Sequence, residues 1–200
     1  MIIFDQRPIV EKHARYALYH PFAEAVASTV CDLPFKICNA VFFNLVLYFM
    51  ANLRREVGAF FIFLLFSFSM TVSLSMVFRS FGASARTLAS SLVPSTITIL
   101  ALITYTGFVV PIGEMHPWFR WINYIDPIAY AFESLMINEY HGRRFPCSPK
   151  SYVPTGPGYL NVGDLNRICA AVGAVAGSDS VSGTDYIMLR FNYLPEHLWR

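Results

Sequence analysis

Two uncharged apolar runs, Val57–Phe78 and Thr87–Gly113, stand only a few residues apart and dominate the hydropathy of the chain. A helix needs about 20 apolar residues to cross a hydrocarbon layer of roughly 30 Å, and each run is long enough. Apolar on every side, such helices would need a large core to hide in if water were the solvent. The rest of the chain is too short to supply it. The pattern predicts an all-α membrane protein with spans at about residues 35–52, 57–78 and 88–110. The segment ahead of the first span is weaker. Phe22–Leu33 reads as a helix but carries Glu24 and Asp32. A charge near the bilayer centre costs about 2.5–3.5 kcal/mol, against about 0.3–0.6 kcal/mol gained per apolar residue. That helix is therefore placed at or under the membrane surface. Pro34 then marks a bend, and Lys36 snorkels to the headgroups from the end of the Phe35–Asn52 span.

Asn52–Glu56 is a tight polar turn that makes the first two spans an antiparallel hairpin. Arg79–Arg86 connects the second span to the third, which Pro94 kinks near its start. Five Lys and Arg lie ahead of the first span and in the Arg79–Arg86 connection, against two in the first turn. The positive-inside rule then puts the N-terminus in the cytoplasm and the chain after the third span outside. In that outer part, Trp118, Trp121 and Tyr124 have near-helical spacing and suit a membrane interface. Ile128–Tyr140 is apolar but too short to span and contains Glu133 and Glu139, so it reads as a re-entrant or interfacial helix. Arg120 is the expected partner of Glu133; a polar element of a permeation path is its alternative role. From His141 onward Gly, Pro, Ser and Asn dominate, which predicts a polar loop region with short structured pieces. The domain organisation is then cytoplasmic 1–34, membrane 35–112, re-entrant or interfacial 113–140, and extracellular 141–200.

Composition supports this picture and narrows the chemistry. Apolar residues make up 55% of the chain and charged ones 14%, a membrane balance. A net charge of +2 without a basic run excludes nucleic acid as the partner. The first residues lack the apolar core of a signal peptide, and both ends read as cuts through something longer. Cys31 and Cys38 read as small buried residues, whereas Cys147 and Cys169 lie in the polar region, where an oxidising compartment would let them pair. No CxxC or His/Cys cluster has zinc spacing, so no metal is expected. No G-x-x-x-x-G-K-[ST] loop or Rossmann fingerprint is present, so the chain holds no nucleotide in either way. Gly156-Pro157-Gly158 is a turn, since proline removes a donor that a phosphate cradle needs. His13, His20 and His141 suit surface or capping roles. The hydroxyls from Ser67 to Ser75 and from Thr96 to Thr106 suit packing between helices, and Phe60, Phe61, Phe63, Phe66 and Phe68 suit lipid and neighbouring helices. No acid, base and nucleophile are paired in the spans, so no catalytic residue is assigned.

Three strings carry a resemblance: RPIVEKHARYALYHPFAEAVASTVCDLPFK, YTGFVVP and INYIDPIAYAFESLMINEYHGRRFPC. Together they resemble the pleiotropic-drug-resistance exporters, the full-length fungal members of the G subfamily of ATP-binding-cassette transporters. The chain is similar to part of the first membrane domain, of ABC-2 type. The resemblance implies the third, fourth and fifth of six spans, a re-entrant turn and an extracellular loop. Glu11, Lys12 and Arg15 would then belong to the coupling region that rests on a nucleotide-binding domain. Thr96, Leu100 and Ile103 would face the central drug cavity, with Phe108 and Val109 at the valve above it. Cys147 and Cys169 match the disulfide pattern of the extracellular loop. Expected partners are the bilayer, the nucleotide-binding domains, the second membrane domain and hydrophobic drugs, xenobiotics or lipids. ATP and Mg would be held by domains outside this chain, which is no enzyme on its own. The expected setting is the plasma membrane. The resemblance leaves two functional readings: a piece of an ATP-driven exporter, or a truncated, non-transporting membrane protein.

Overall fold

Two long helices, α2 (Pro21–Met50) and α3 (Val57–Ser84), form the body of the first of two units in the computed structural model, which describes residues 2–154, 163 and 166–199. The units are Met1–Ile103 and Thr104–Arg200. The first also contains α1 (Ile2–Arg15) and α4 (Leu88–Thr104). Both α2 and α3 are long and apolar enough to cross a membrane.

The start of α2 is set by His20, whose Nδ1 accepts from the Phe22 N–H at 3.3 Å, and by Pro21 in the first turn, where a missing N–H costs nothing. The predicted bend at Pro34 does not divide the segment, because α2 continues through it as one helix. A proline ring removes one backbone hydrogen bond, but α3 grips α2 on both sides of it. Arg79 binds Ser28, Thr29 and Asp32 before Pro34, and Lys36 donates to Ser75 Oγ at 2.8 Å after it. Lys36 therefore lies against the neighbouring helix. Ala40, Asn44 and Tyr48, four residues apart, make the buried stripe of α2. Tyr48 packs edge-on against Phe60 and Phe63 of α3, with centroids at 5.1 and 5.4 Å, and its hydroxyl donates to Arg54 O. Asn52 in a left-handed conformation (φ +51°) and the Arg54–Glu56 ion pair (2.9 Å) complete the hairpin turn.

Arg79 belongs to α3, not to the following connection, which shortens to residues 85–87. Two interactions allow the extension. Asp32 neutralises Arg79, and Arg7 of α1 donates to the carbonyls of Gly82, Ala83 and Ala85 at 3.1, 3.2 and 2.8 Å. A cation on those last carbonyls satisfies acceptors that no helical N–H can reach. Helix α4 begins with a reciprocal cap in which Thr87 Oγ1 accepts from the Ser90 N–H and Ser90 Oγ accepts from the Thr87 N–H. It ends at Thr104, six residues before the predicted end of the third span. Its 17 residues reach about 26 Å at 1.5 Å each. Gly107 at φ +99° breaks helical geometry, and Pro111 cannot continue it, although the residues between are apolar.

The second unit contains α5 (Arg120–Ile125), α6 (Pro127–Tyr140) and α7 (Gly183–Phe191), with 3-10 turns at Ile112–Glu114, Pro149–Ser151 and Pro195–Trp199. It is not purely helical. Strands β1 (Arg144–Pro146) and β4 (Ser180–Ser182) pair antiparallel, as do β2 (Tyr152–Val153) and β3 (Ile168–Cys169). Ile137 of α6, Ile187 and Phe191 of α7, and Tyr193 form the core, with Ile112, Phe132, Met136, Tyr140, Tyr186 and Leu198 against it. Gly183 opens α7 where a Cβ would come within 2.3 Å of Tyr140 O, so only glycine lets α7 lie this close to α6. Asn192 ends α7 in the left-handed region at φ +61°, and the Tyr193 N–H reaches back to Ile187 O. The Gly156–Gly158 turn lies outside the described residues.

Candidate functional site

Helices α1, α2 and α3 enclose a groove of about 570 Å³, whose lining includes Arg7, Glu11, Glu24, Ser28, Met76 and Arg79. Both arginines serve the structure. Arg7 caps α3, while Arg79 donates to Ser28 Oγ at 3.0 Å and Thr29 Oγ1 at 3.1 Å and pairs with Asp32. Glu11, Lys12 and Arg15 occupy the last turns of α1, exposed, with Glu11 on the rim of the groove. Sequence reading treated Asp32 as a cost to burial and missed its pairing with Arg79.

Thr96, Leu100 and Ile103 lie four and three residues apart on α4, hence on one face. Thr96 Oγ1 donates to Leu92 O at 2.9 Å, so its hydroxyl is satisfied by its own helix. Leu100 and Ile103 are 60% and 51% exposed. Phe108 and Val109 belong to the second unit, in the irregular segment that follows Gly107. The Phe108 ring meets Phe132 edge-on at 5.4 Å and stacks on Phe191 at 6.1 Å. The five positions expected to act on substrate are thus divided between the two units, three in one and two in the other.

In the second unit Glu133 is buried and bound to His197 Nδ1 at 2.7 Å, not to Arg120. The expected partner was wrong because the Pro195–Trp199 turn packs on α6 and brings His197 to the carboxylate. Arg120 donates instead to Ile112 O at 3.0 Å. Asp126 caps α6: Oδ1 accepts from the Ile128 N–H at 2.8 Å, and Oδ2 has no partner among the described residues. Burial raises its pKa from 3.8 to about 6, while the backbone donors at Ile128 and Ala129 act the other way. Between about pH 4 and 6 the folded unit therefore holds a proton that the unfolded chain releases. The stability that Asp126 contributes is full below that window and falls as pH rises through it. Asp126→Asn keeps the cap and should flatten the pH dependence of unfolding across this range, as followed by the urea dependence of backbone hydrogen exchange over residues 120–140; an unchanged slope would refute the assignment.

Cys147 and Cys169 form a disulfide with Cα atoms 6.1 Å apart. Cys31 and Cys38 are free and exposed, not buried. Only one stripe of α2 packs within its unit, and these two lie off that stripe. Among the described residues no group of His, Cys, Asp and Glu could hold a metal.

Two paired helices, each long and apolar enough to cross a membrane and joined by polar groups satisfied between them, fit an integral membrane protein. The profile described as ABC-2 type transporter matches residues 1–140, and the chain belongs to that family. A second profile, described as CDR ABC transporter, matches residues 153–200. Over its whole length the chain is 56% identical to ABC multidrug transporter C of Aspergillus fumigatus, 54% to ABC multidrug transporter MDR3 of Trichophyton rubrum and 52% to ABC multidrug transporter AFR2 of Cryptococcus neoformans. It spans about 13% of the length of each.

Proposed function

We propose that this chain is the part of an ATP-driven exporter that carries one wall of its drug path, together with a coupling segment and the outlet. Residues 1–34 would rest on a nucleotide-binding domain through Glu11, Lys12 and Arg15. Helices α2, α3 and α4 would span the plasma membrane with the N-terminus in the cytoplasm. Residues 113–140 would re-enter the membrane from outside, and residues 141–200 would form an extracellular region. ATP and Mg would bind domains outside this chain, and a second membrane domain would face α4. The substrates are hydrophobic compounds.

The exposed α4 face carries this reading. With the Thr96 hydroxyl turned to Leu92 O, the face formed with Leu100 and Ile103 offers apolar contact, which suits concave sites that bind hydrophobic ligands by area. Phe108 and Val109 would then narrow the outlet. In the full-length transporter, Ile103→Ala and Phe108→Ala should alter the drug-resistance profile and efflux more than the amount at the cell surface. Equal loss of surface protein and transport would mark them as packing residues and overturn the reading.

A further inference from the structure

We propose that Phe191 and Tyr193, in the segment that closes α7, are positioning residues for the Phe108 constriction, so that the C-terminal part of the second unit sets the width of the outlet. The inference rests on the outlet reading of Phe108 and Val109 given above.

Two adjoining contacts carry it. Phe108 stacks on Phe191 with an interplanar angle of 19°, and Phe191 stacks on Tyr193 at 5.5 Å and 17°. Three rings thus form a continuous pile with Phe108 at its end. Tyr193 is 1% exposed, and its hydroxyl has no hydrogen-bond partner among the described residues. That oxygen stands where a Cβ on Gly107 would come within 2.9 Å. The same short segment therefore presses on the backbone of Gly107 and on the ring of Phe108.

The base of the pile is rigid and the end is not enclosed. Ile187 and Ile137 are fully buried beneath it, and the Asn192 turn fixes how the chain leaves α7. The Glu133–His197 bond fastens the segment that follows to α6. Phe108 itself stays 57% exposed. Phe191 stacks on this ring and Phe132 of α6 meets it edge-on at 5.4 Å, so what lies behind it sets its position while its other side stays open. Stacked rings prefer a defined offset, so removing the ring at 191 leaves the ring at 108 with only its edge-on contact to Phe132 and lets it tilt.

The test uses the full-length transporter and a series of rhodamine esters of increasing alkyl length as efflux probes. Phe108→Ala and Phe191→Leu should each shift the preference toward longer esters by about threefold, the scale of one lost aromatic pair. The double variant should match Phe108→Ala alone, since no ring remains to be positioned. A shift in Phe108→Ala with none in Phe191→Leu, or additive shifts in the double variant, would overturn the inference and leave the outlet reading standing. No shift in Phe108→Ala would overturn the outlet reading, and this inference with it. Surface amount and protection of Cys147 and Cys169 from thiol labelling report folding. Should Phe191→Leu fail to reach the surface, Tyr193→Phe removes only the hydroxyl at Gly107 and should shift the preference in the same direction; an unchanged preference there overturns the inference.

Discussion

Replacing Cys147 and Cys169 together by alanine is expected to lower the stability of the second unit by about 3 kcal/mol, the loop-closure term for a crosslink spanning 22 residues. The location makes the loss hard to offset. Cys147 follows β1, with its N–H donating to Asp179 O at 2.9 Å, and Cys169 lies in β3, opposite Tyr152. The crosslink therefore joins two separate two-stranded sheets, and isolated pairs of such short strands are marginal in water. Few side chains in these strands are buried, chiefly Cys169 and Val181, so little apolar area can substitute for the bond. Proteolysis of the full-length transporter across a urea series should show earlier cleavage between residues 144 and 182 in the double variant. Reductant should reproduce the effect in the parent and add nothing to the variant. Identical cleavage midpoints would show that the sheets hold without the crosslink. The exposed Cys31 and Cys38 lie in the other unit and leave the comparison intact.

Much of the architecture was legible because it follows from local rules. The hairpin of α2 and α3 comes from two apolar runs flanking a polar turn, and the helix read over Ile128–Tyr140 matches α6 to within one residue. The errors arose where distant residues decide. Asp32 meets Arg79 across 47 positions and Glu133 meets His197 across 64, and no periodicity links either pair. Charge cost alone therefore placed a break near Pro34 and assigned Arg79 to the connection rather than to α3. Hydropathy also carried the third span through 105–110, since it registers apolar side chains and not the positive φ of Gly107. The buried aromatic segment at 191–193 had no signal in the sequence beyond three residues in a polar region. The substrate-facing positions Thr96, Leu100 and Ile103 came from resemblance to known exporters; apolarity on α4 does not by itself single out a face.

Ile187→Ala is expected to cost the second unit about 2–5 kcal/mol, and Ile187→Val only about 0.5–1.5 kcal/mol. Ile187 is 0% exposed and lies in the core with Ile137, Phe191 and Tyr193. The cost of a cavity depends on whether its walls can move in, and here they are held. Helix α7 is capped by Ser182, pressed onto Tyr140 O through Gly183 and turned at Asn192 by hydrogen bonds to Ile187 and Met188 carbonyls. Shifting α7 toward α6 to close the gap would drive Gly183 into the Tyr140 carbonyl, so the loss belongs in the upper part of the range. Urea-dependent proteolysis should show cleavage within 183–193 moving to lower denaturant in the alanine variant, with the valine variant close to the parent. A loss below about 1 kcal/mol would mean that the core collapses freely onto the smaller side chain. The ring pile on Phe108 would then rest on a yielding base, and the positioning role of Phe191 and Tyr193 would lose its mechanical support.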